Sequence, residues 1–532
     1  MIWQGSLSAV QVKDESVDDQ GFITLLPGRA AATPDAIYAT FDGKRITFAE
    51  LHRMSDAIAL GLRRLGVEPG DRVALMLRNS PTSVATLFGI AKSGAVWVPV
   101  NVQQRGEGLK YILEHSDPKI IVANADLLPT ISQCGADLAH ITLVPEVGDG
   151  VSLTQIATAG GIFDETLPAP DNLFAINYTS GTTGRPKGVC VTHRMLRFAS
   201  EGAMLCSSAQ DGDVFFVWEP LYHIGGAQLI PIPLLRDVRL AMVQRFSATR
   251  FWDQVRECGA TQIHYLGGIL QILLKQPESD NDRHHRVRVA WGGGCPREIW
   301  RDFETRFGVT LRECYGMTES SSITTFNDSG IVGAVGRAVP WLSFRIMNEQ
   351  GDTVGPGERG EIVVHARQHG AVFSGYFRNE DATARALRSD GFHTGDLGTT
   401  DADGNLYFLG RLSDSVRVRG ENVSAFEVEH VASMHPAVED CALIGVQADV
   451  GEQEIKLFIK AKSGAGIDFP AFSAWLAQHL APYQNPRYLA LVDDFERTPS
   501  QRIMKHRLPA TLDGAWDRMA GHHKRAMPES AS

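Results

Sequence analysis

The chain of 532 residues reads as an α/β protein: a large N-terminal domain of helix-covered parallel sheets plus a β-rich subdomain, and a small α+β C-terminal domain. Three observations predict this. Strand-like and helical patterns alternate from Ala49 to Glu319, and such alternation implies parallel sheets covered by helices. After Glu319 the pattern changes to short strands with Gly-Asp and Gly-Asn turns. From about Leu412 a separate α+β pattern of about 100 residues has apolar positions for its own core. A chain of this length also exceeds what one core can organise. The expected division is therefore 1–411 and 412–532.

The elements follow in order. The first twenty or so residues are polar and acidic and read as a loose arm. Leu51, Met54, Ile58, Leu62 and Leu65 form a helical stripe over Ala49–Leu65 that stops before Gly66. Arg72–Leu77 reads as a strand. Asn79-Ser80-Pro81 is a cap followed by proline in the first helical turn, and that helix ends near Gly94. Further strands are expected at Ala95–Val100, Lys119–Ala123, Asp213–Trp218, Thr261–Leu266, Val287–Trp291 and Val309–Cys314. The β-rich stretch supplies Arg359–His365 and Gly404–Leu409. In the last unit, helices are expected at Ala425–Ser433 and Phe469–Leu480 and strands at Val438–Val446 and Lys456–Ala461, before a polar, frayed tail.

Composition excludes several classes. Hydrophobic residues make up 43% and charged residues 21%, as in an ordinary globular protein. The net charge of −11 argues against non-specific nucleic-acid binding. Seven scattered cysteines without CxxC pairs suggest reduced thiols in the cytoplasm, with neither a disulfide framework nor a zinc site. No signal peptide is evident. The run Leu229–Leu235 contains two prolines and is too short to span a membrane.

The chemistry concentrates in Tyr178–Gly188, YTSGTTGRPKG. Gly181 and Gly184 let the backbone approach an anion, while Thr179, Ser180, Thr182 and Thr183 supply hydroxyl donors. Lys187, just beyond Pro186, adds a point charge, completing the parts of a phosphate cradle. The spacing is not that of a Walker A loop. Composition alone also allows a flexible surface loop.

That stretch resembles the phosphate signature of the adenylate-forming superfamily: acyl- and aryl-CoA synthetases, peptide-synthetase adenylation domains and luciferases. Three further segments, in the family's order, carry the resemblance. Tyr315-Gly316-Met317-Thr318-Glu319 resembles its second nucleotide motif and Thr394-Gly395-Asp396 its ribose motif. Gly410-Arg411 with Asp414 and Arg417–Val423 resembles the interdomain segment. The stretch Arg419–Ser424 is similar to carnitine/crotonobetaine-CoA ligase-like synthetases and points to a small, polar organic acid.

The resemblance implies ATP- and Mg2+-dependent activation of a carboxylic acid as an acyl-adenylate, then transfer to CoA, with a mobile C-terminal domain. Two anions must meet, so cations and fixed donors are needed. Lys187 would hold phosphate, and Glu319 would hold magnesium as a hard carboxylate; its bland alternative is an acid at a helix start. Tyr315, Gly316 and Thr318 would border the nucleotide. Asp396 would accept the ribose hydroxyls, with a solvated turn acid as the alternative, and Arg411 would bridge ribose and phosphate. Gly292, Gly293 and Gly294 would let adenine lie against the backbone.

For the acid, Tyr222 and His223 occupy the place of the family's gate, although a histidine in an apolar stretch is often structural. Gly225, Gly226, Gly267 and Gly268 would create space, and Tyr265 and Trp291 would wall an aryl ring or a cation. The sequence leaves that choice open. Ser413 marks the hinge, and Arg419 and Gly420 would line the CoA path after rotation. The family's C-terminal catalytic lysine is missing: Gln501-Arg502 stands where Gly-Lys is expected, so either Arg502 or Lys505 would supply the cation. Three rival readings stand beside the ligase: an amide-bond synthetase, activation of an unusual oxyanion, and a nucleotide-binding homologue with weakened adenylation. The expected partners are a small carboxylic acid and CoA, without nucleic acid or a membrane span; a homodimer is allowed.

Overall fold

The computed structural model describes residues 20–148, 150–179, 186–418, 421–447, 453–497 and 503–523. It contains two compact units. One takes Met1–Phe344 with Val364–His393, the other Arg345–Val363 with Thr394–Ser532.

The first unit carries two sheets. A six-stranded sheet runs in the order Thr142–Pro145, Ile120–Ala123, Arg72–Met76, Val96–Pro99, Leu173–Thr179, Lys187–Thr192. Its strands are parallel except for the last, which returns antiparallel along Leu173–Thr179. In a nine-stranded sheet, Thr310–Tyr315, Val289–Gly293, Gln262–Leu266, Val214–Val217, Arg239–Met242 and Ile37–Phe41 lie parallel in that order. Short antiparallel strands close both edges.

Local chemistry starts the helices where the sequence suggests. Helix Phe48–Arg64 is opened by a reciprocal capping box between Thr47 and Glu50. Ser80 and Ser83 form another before Pro81–Lys92. Such a cap contributes about 1 kcal/mol. One face of the nine-stranded sheet packs against helices Phe251–Cys258 and Arg297–Phe307. Ile263, Tyr265, Ala290 and Leu311 meet Phe251, Trp252, Trp300, Phe303 and Phe307 there. Burial of one such large apolar side chain stabilises by about 1.5–3 kcal/mol. Alternation along the strands sends His264 and Trp291 to the opposite face.

The second unit holds a four-stranded sheet in the order Val438–Gln447, Gln453–Ala461, Tyr488–Leu491, Trp516–Asp517. Helices Ala425–Ser433 and Phe469–His479 cover it through Val428, Ala432, Phe472 and Leu476. Gly391–Thr400 and Leu406–Arg411 pair antiparallel, with Asp396 opposite Arg411. These two strands, with Leu342–Met347, Gly360–Ala366 and the short Leu387–Arg388, form the five-stranded sheet of the expected β-rich stretch.

Some expectations need correction. Gly404 forms a turn at φ 81°, so its strand starts at Leu406. The polar tail begins with a short helix, Arg518–His523, because the Arg518 guanidinium donates to the Asn485 and Pro486 carbonyls. The N-terminal arm lies outside the described residues. Among the described residues no helix is long and apolar enough to cross a membrane.

Candidate active site

One tyrosine connects the activation residues of the first unit. Thr179 and Lys187 face each other across the antiparallel pair that bounds the glycine-rich loop. Ser180, Gly181, Thr182, Thr183 and Gly184 lie outside the described residues. The Lys187 ammonium stands 4.9 Å from the centroid of the Tyr376 ring, within cation–π reach. The Tyr376 hydroxyl donates to Glu319 Oε1 at 2.9 Å, and the Phe373 N–H donates to the Glu319 carbonyl at 2.8 Å. Backbone pairing sets this arrangement. Val189 bridges Tyr376, and the Phe377 N–H donates to the Gly188 carbonyl at 2.7 Å.

Glu319 and Thr318 are buried in a three-residue turn, Thr318–Ser320, too short to supply the field of a helix N-terminus. Gly316, ahead of it, is required sterically: a Cβ would lie 2.0 Å from the Ser322 carbonyl oxygen. Tyr315 is buried at the end of its strand. Among the described residues no cluster of three or more His, Cys, Asp or Glu could hold a metal. Glu319 nevertheless fits magnesium, an ion commonly bound by one carboxylate together with substrate phosphates.

The triple glycine is anchored from behind. A Cβ on Gly292 would lie 1.9 Å from the Tyr265 carbonyl oxygen, so glycine permits this close approach. Glu313 Oε1 accepts from the Gly294 N–H at 2.5 Å and the Cys295 N–H at 3.1 Å. Its Oε2 accepts from the Tyr265 hydroxyl at 2.6 Å. Burial pushes the Glu313 carboxyl up to about 7, although those donors oppose the shift. Tyr265, expected to wall the pocket, is thereby placed elsewhere. Strand alternation points it into the core on the face opposite Trp291, where its hydroxyl supports the glycine loop.

The expected pocket segment is a tight turn. Asn79 fixes it, donating to the Glu219 carbonyl at 2.7 Å and accepting from the Leu221 N–H at 3.1 Å. A Cβ on Gly226 would lie 2.4 Å from the Pro220 carbonyl oxygen. His223 precedes the short helix Ile224–Ala227, and its ring meets Tyr222 edge-on at 4.8 Å. Burial pushes the Tyr222 phenol up to about 12. The Cβ direction of Gly225 faces His264 Cε1 at 3.6 Å and Glu219 Oε1 at 3.7 Å, while Gly267 faces open space and Gly268 meets only Gln271 Oε1, at 4.0 Å. His264 Nδ1 is hydrogen-bonded to Glu219 Oε1, and its ring lies 4.2 Å from that of the fully buried Trp291.

The second unit carries the remaining residues. Arg411 Nε lies 3.3 Å from buried Asp396 Oδ1, and the Gly395 N–H donates to Glu361 Oε1 at 3.0 Å. Ser413 belongs to the one-turn segment Leu412–Asp414. The Lys505 ammonium pairs with Glu429 Oε1 at 2.8 Å and Asp414 Oδ2 at 3.6 Å. Burial works against the Lys505 charge, but these two carboxyls outweigh it and raise its pKa. Arg502, Arg419 and Gly420 lie outside the described residues.

The motif reading passed over Tyr376, Glu313, Glu219 and His264. Glu219, three residues ahead of Tyr222, and Glu313, two residues ahead of Tyr315, left a local signal.

Comparison with known proteins agrees with this chemistry. The AMP-binding enzyme family matches residues 26–377, and the AMP-binding enzyme C-terminal domain matches 427–502. Crotonobetaine/carnitine–CoA ligases from Salmonella agona and Salmonella typhimurium are each 32% identical over 488 residues, covering 87% of this chain and 93% of theirs. The structure of ATP-bound MatB from Rhodopseudomonas palustris superposes with a TM-score of 0.83 at 28% identity, covering 91% and 97%. A benzoate CoA ligase from Burkholderia xenovorans shares the fold, with a TM-score of 0.83 at 23% identity and coverage of 92% and 99%.

Proposed function

This chain belongs to the AMP-binding enzyme family and is an AMP-forming acid–thiol ligase that uses ATP and CoA, and we propose that it activates a small, polar organic acid through the residues assembled around Tyr376. The observation that supports this reading is the contact chain Lys187–Tyr376–Glu319, which puts a cation and a carboxylate at the mouth of the glycine-rich loop. The relatives' crotonobetaine/carnitine specificity supports a small polar acid.

In the first half-reaction a substrate carboxylate oxygen attacks the α-phosphorus of ATP, and the bond to the β-phosphate breaks to release pyrophosphate. Lys187 and the loop hydroxyls neutralise the triphosphate, and His223 borders the carboxylate. Glu319 would hold magnesium, which when bound would shield phosphate charge. Gly292–Gly294 border adenine, while Asp396 and Arg411 hold the ribose. Arg502 supplies the cation at the α-phosphate. In the second half-reaction the CoA thiol gives its proton to solvent and, as the thiolate, attacks the acyl carbonyl, and AMP leaves with both electrons of the cleaved bond. We place the functional boundary at 411/412, with Ser413 as the hinge and Arg419 and Gly420 as residues of the CoA path. All seven cysteines are free, which supports a cytoplasmic location. The acidic net charge supports small-molecule partners without nucleic acid, and a homodimer is compatible with this chemistry.

A pyrophosphate-release screen over aryl, short-chain and trimethylammonium acids tests the reading. It predicts release with one acid class and a thioester only when CoA is present. Product formation with an amine in place of CoA would instead identify an amide synthetase.

A further inference from the structure

We propose that Glu219, oriented by His264, is the specificity-determining residue that receives a positively charged group at the far end of the acid. The inference rests on the ligase reading and adds to it the substrate's charge.

Glu219 is 1% exposed. Its Oε1 is held by His264 Nδ1, whereas among the described residues Oε2 has no hydrogen-bond partner. A buried carboxylate oxygen without a donor is costly unless a cationic ligand compensates its charge. The rest of the residue is well fixed: Asn79 holds its carbonyl, and the Trp218 indole donates to the His264 carbonyl at 2.8 Å. The unsatisfied oxygen therefore belongs to a rigid site. Its surroundings suit a cation. Gly225, two residues beyond the gate histidine, presents no side chain toward the Glu219–His264 pair. The Trp291 ring lies 4.2 Å from that of His264, tilted 44° to it, so an aromatic side chain neighbours the histidine that holds the carboxyl. Aromatic faces and a carboxyl together recognise alkylammonium groups. The alternative is a purely structural Glu–His tie between Val214–Val217 and Gln262–Leu266. Such a tie needs one carboxyl oxygen and gives no reason for a second buried oxygen without a donor.

The test compares pyrophosphate release, in the full-length enzyme, from a trimethylammonium-terminated butanoate and its neutral tert-butyl-terminated isostere. The wild type should prefer the cationic acid in kcat/KM by about 30-fold, the scale of one buried charge contact. Glu219→Gln should bring the ratio close to one, acting through KM for the acid and leaving KM for ATP in place. Gly225→Ala, whose added Cβ meets its neighbours at 3.6 Å or more, gives an independent reading if Glu219→Gln does not fold. It should weaken the cationic acid several-fold by occupying the space beside the pair. A preference for the neutral or an aryl acid in the wild type overturns the assignment and leaves the ligase reading standing. So does an unchanged ratio in folded Glu219→Gln. Release with no acid in the panel overturns the ligase reading itself.

Discussion

Glu219, two residues beyond strand Val214–Val217, and Glu313, within strand Thr310–Tyr315, are both buried carboxyls of the same nine-stranded sheet, yet their surroundings differ. Glu313 is saturated: the Gly294 and Cys295 N–H groups and the Tyr265 hydroxyl occupy both oxygens. Glu219 has one oxygen tied to His264 and one without a donor among the described residues. Saturation is what a scaffold requires, because each unmet buried group costs stability. An unmet group is tolerated where a ligand completes it. Glu313 is thus read as a positioning residue for the glycine loop and Glu219 as a substrate contact.

A third buried carboxyl, Glu319, sharpens the contrast and carries the largest expected effect. Tyr376 engages its Oε1. Glu319→Gln should keep the fold and lower adenylation by about 100-fold or more, the scale of one strong electrostatic contact. Near-normal ATP–pyrophosphate exchange in that variant would remove it from the metal role. Arg502→Ala should cost a similar factor, about 100-fold. Lys505→Ala should affect catalysis much less. Because Lys505 is already paired with Glu429 and Asp414, its loss should appear mainly in thermal unfolding, as about 1–3 kcal/mol. Full adenylation in Arg502→Ala with collapse in Lys505→Ala would exchange those roles.

Glu313→Gln should act more gently, raising KM for ATP about tenfold as the glycine loop loosens. It should also change the pH dependence of stability. The folded-state pKa of Glu313 is raised from 4.5 to about 7, so between these values the folded protein holds a proton that the unfolded chain has released. Its contribution to stability is full below the unfolded value and is lost as pH rises through about 7. The difference in melting temperature between wild type and Glu313→Gln should therefore drift across that window and flatten above it. A difference constant with pH would show that Glu313 does not titrate there.

Much of the fold was legible because its signals are local. The stripe from Leu51 to Leu65 and the pair Ser80 with Pro81 mark two helices within short stretches of sequence, and Ala425–Ser433 emerges with the expected limits. The motif positions around Lys187 and Glu319 were also legible. The side chains that join them were not. Tyr376 reaches Glu319 across 57 positions and His264 reaches Glu219 across 45, so both contacts depend on strand register that no local pattern encodes. Tyr265 was misplaced for the same reason. Which strand face meets the helices follows from its alignment with Val289–Gly293, and that face proved to be the core.

The most direct test is a crossed measurement of KM for acid and for ATP in Glu219→Gln and Glu313→Gln, using acid-dependent pyrophosphate release. The account predicts that Glu219→Gln raises KM for the acid and leaves KM for ATP, while Glu313→Gln does the reverse. Equal changes in both constants for both variants, or the opposite crossing, would contradict it.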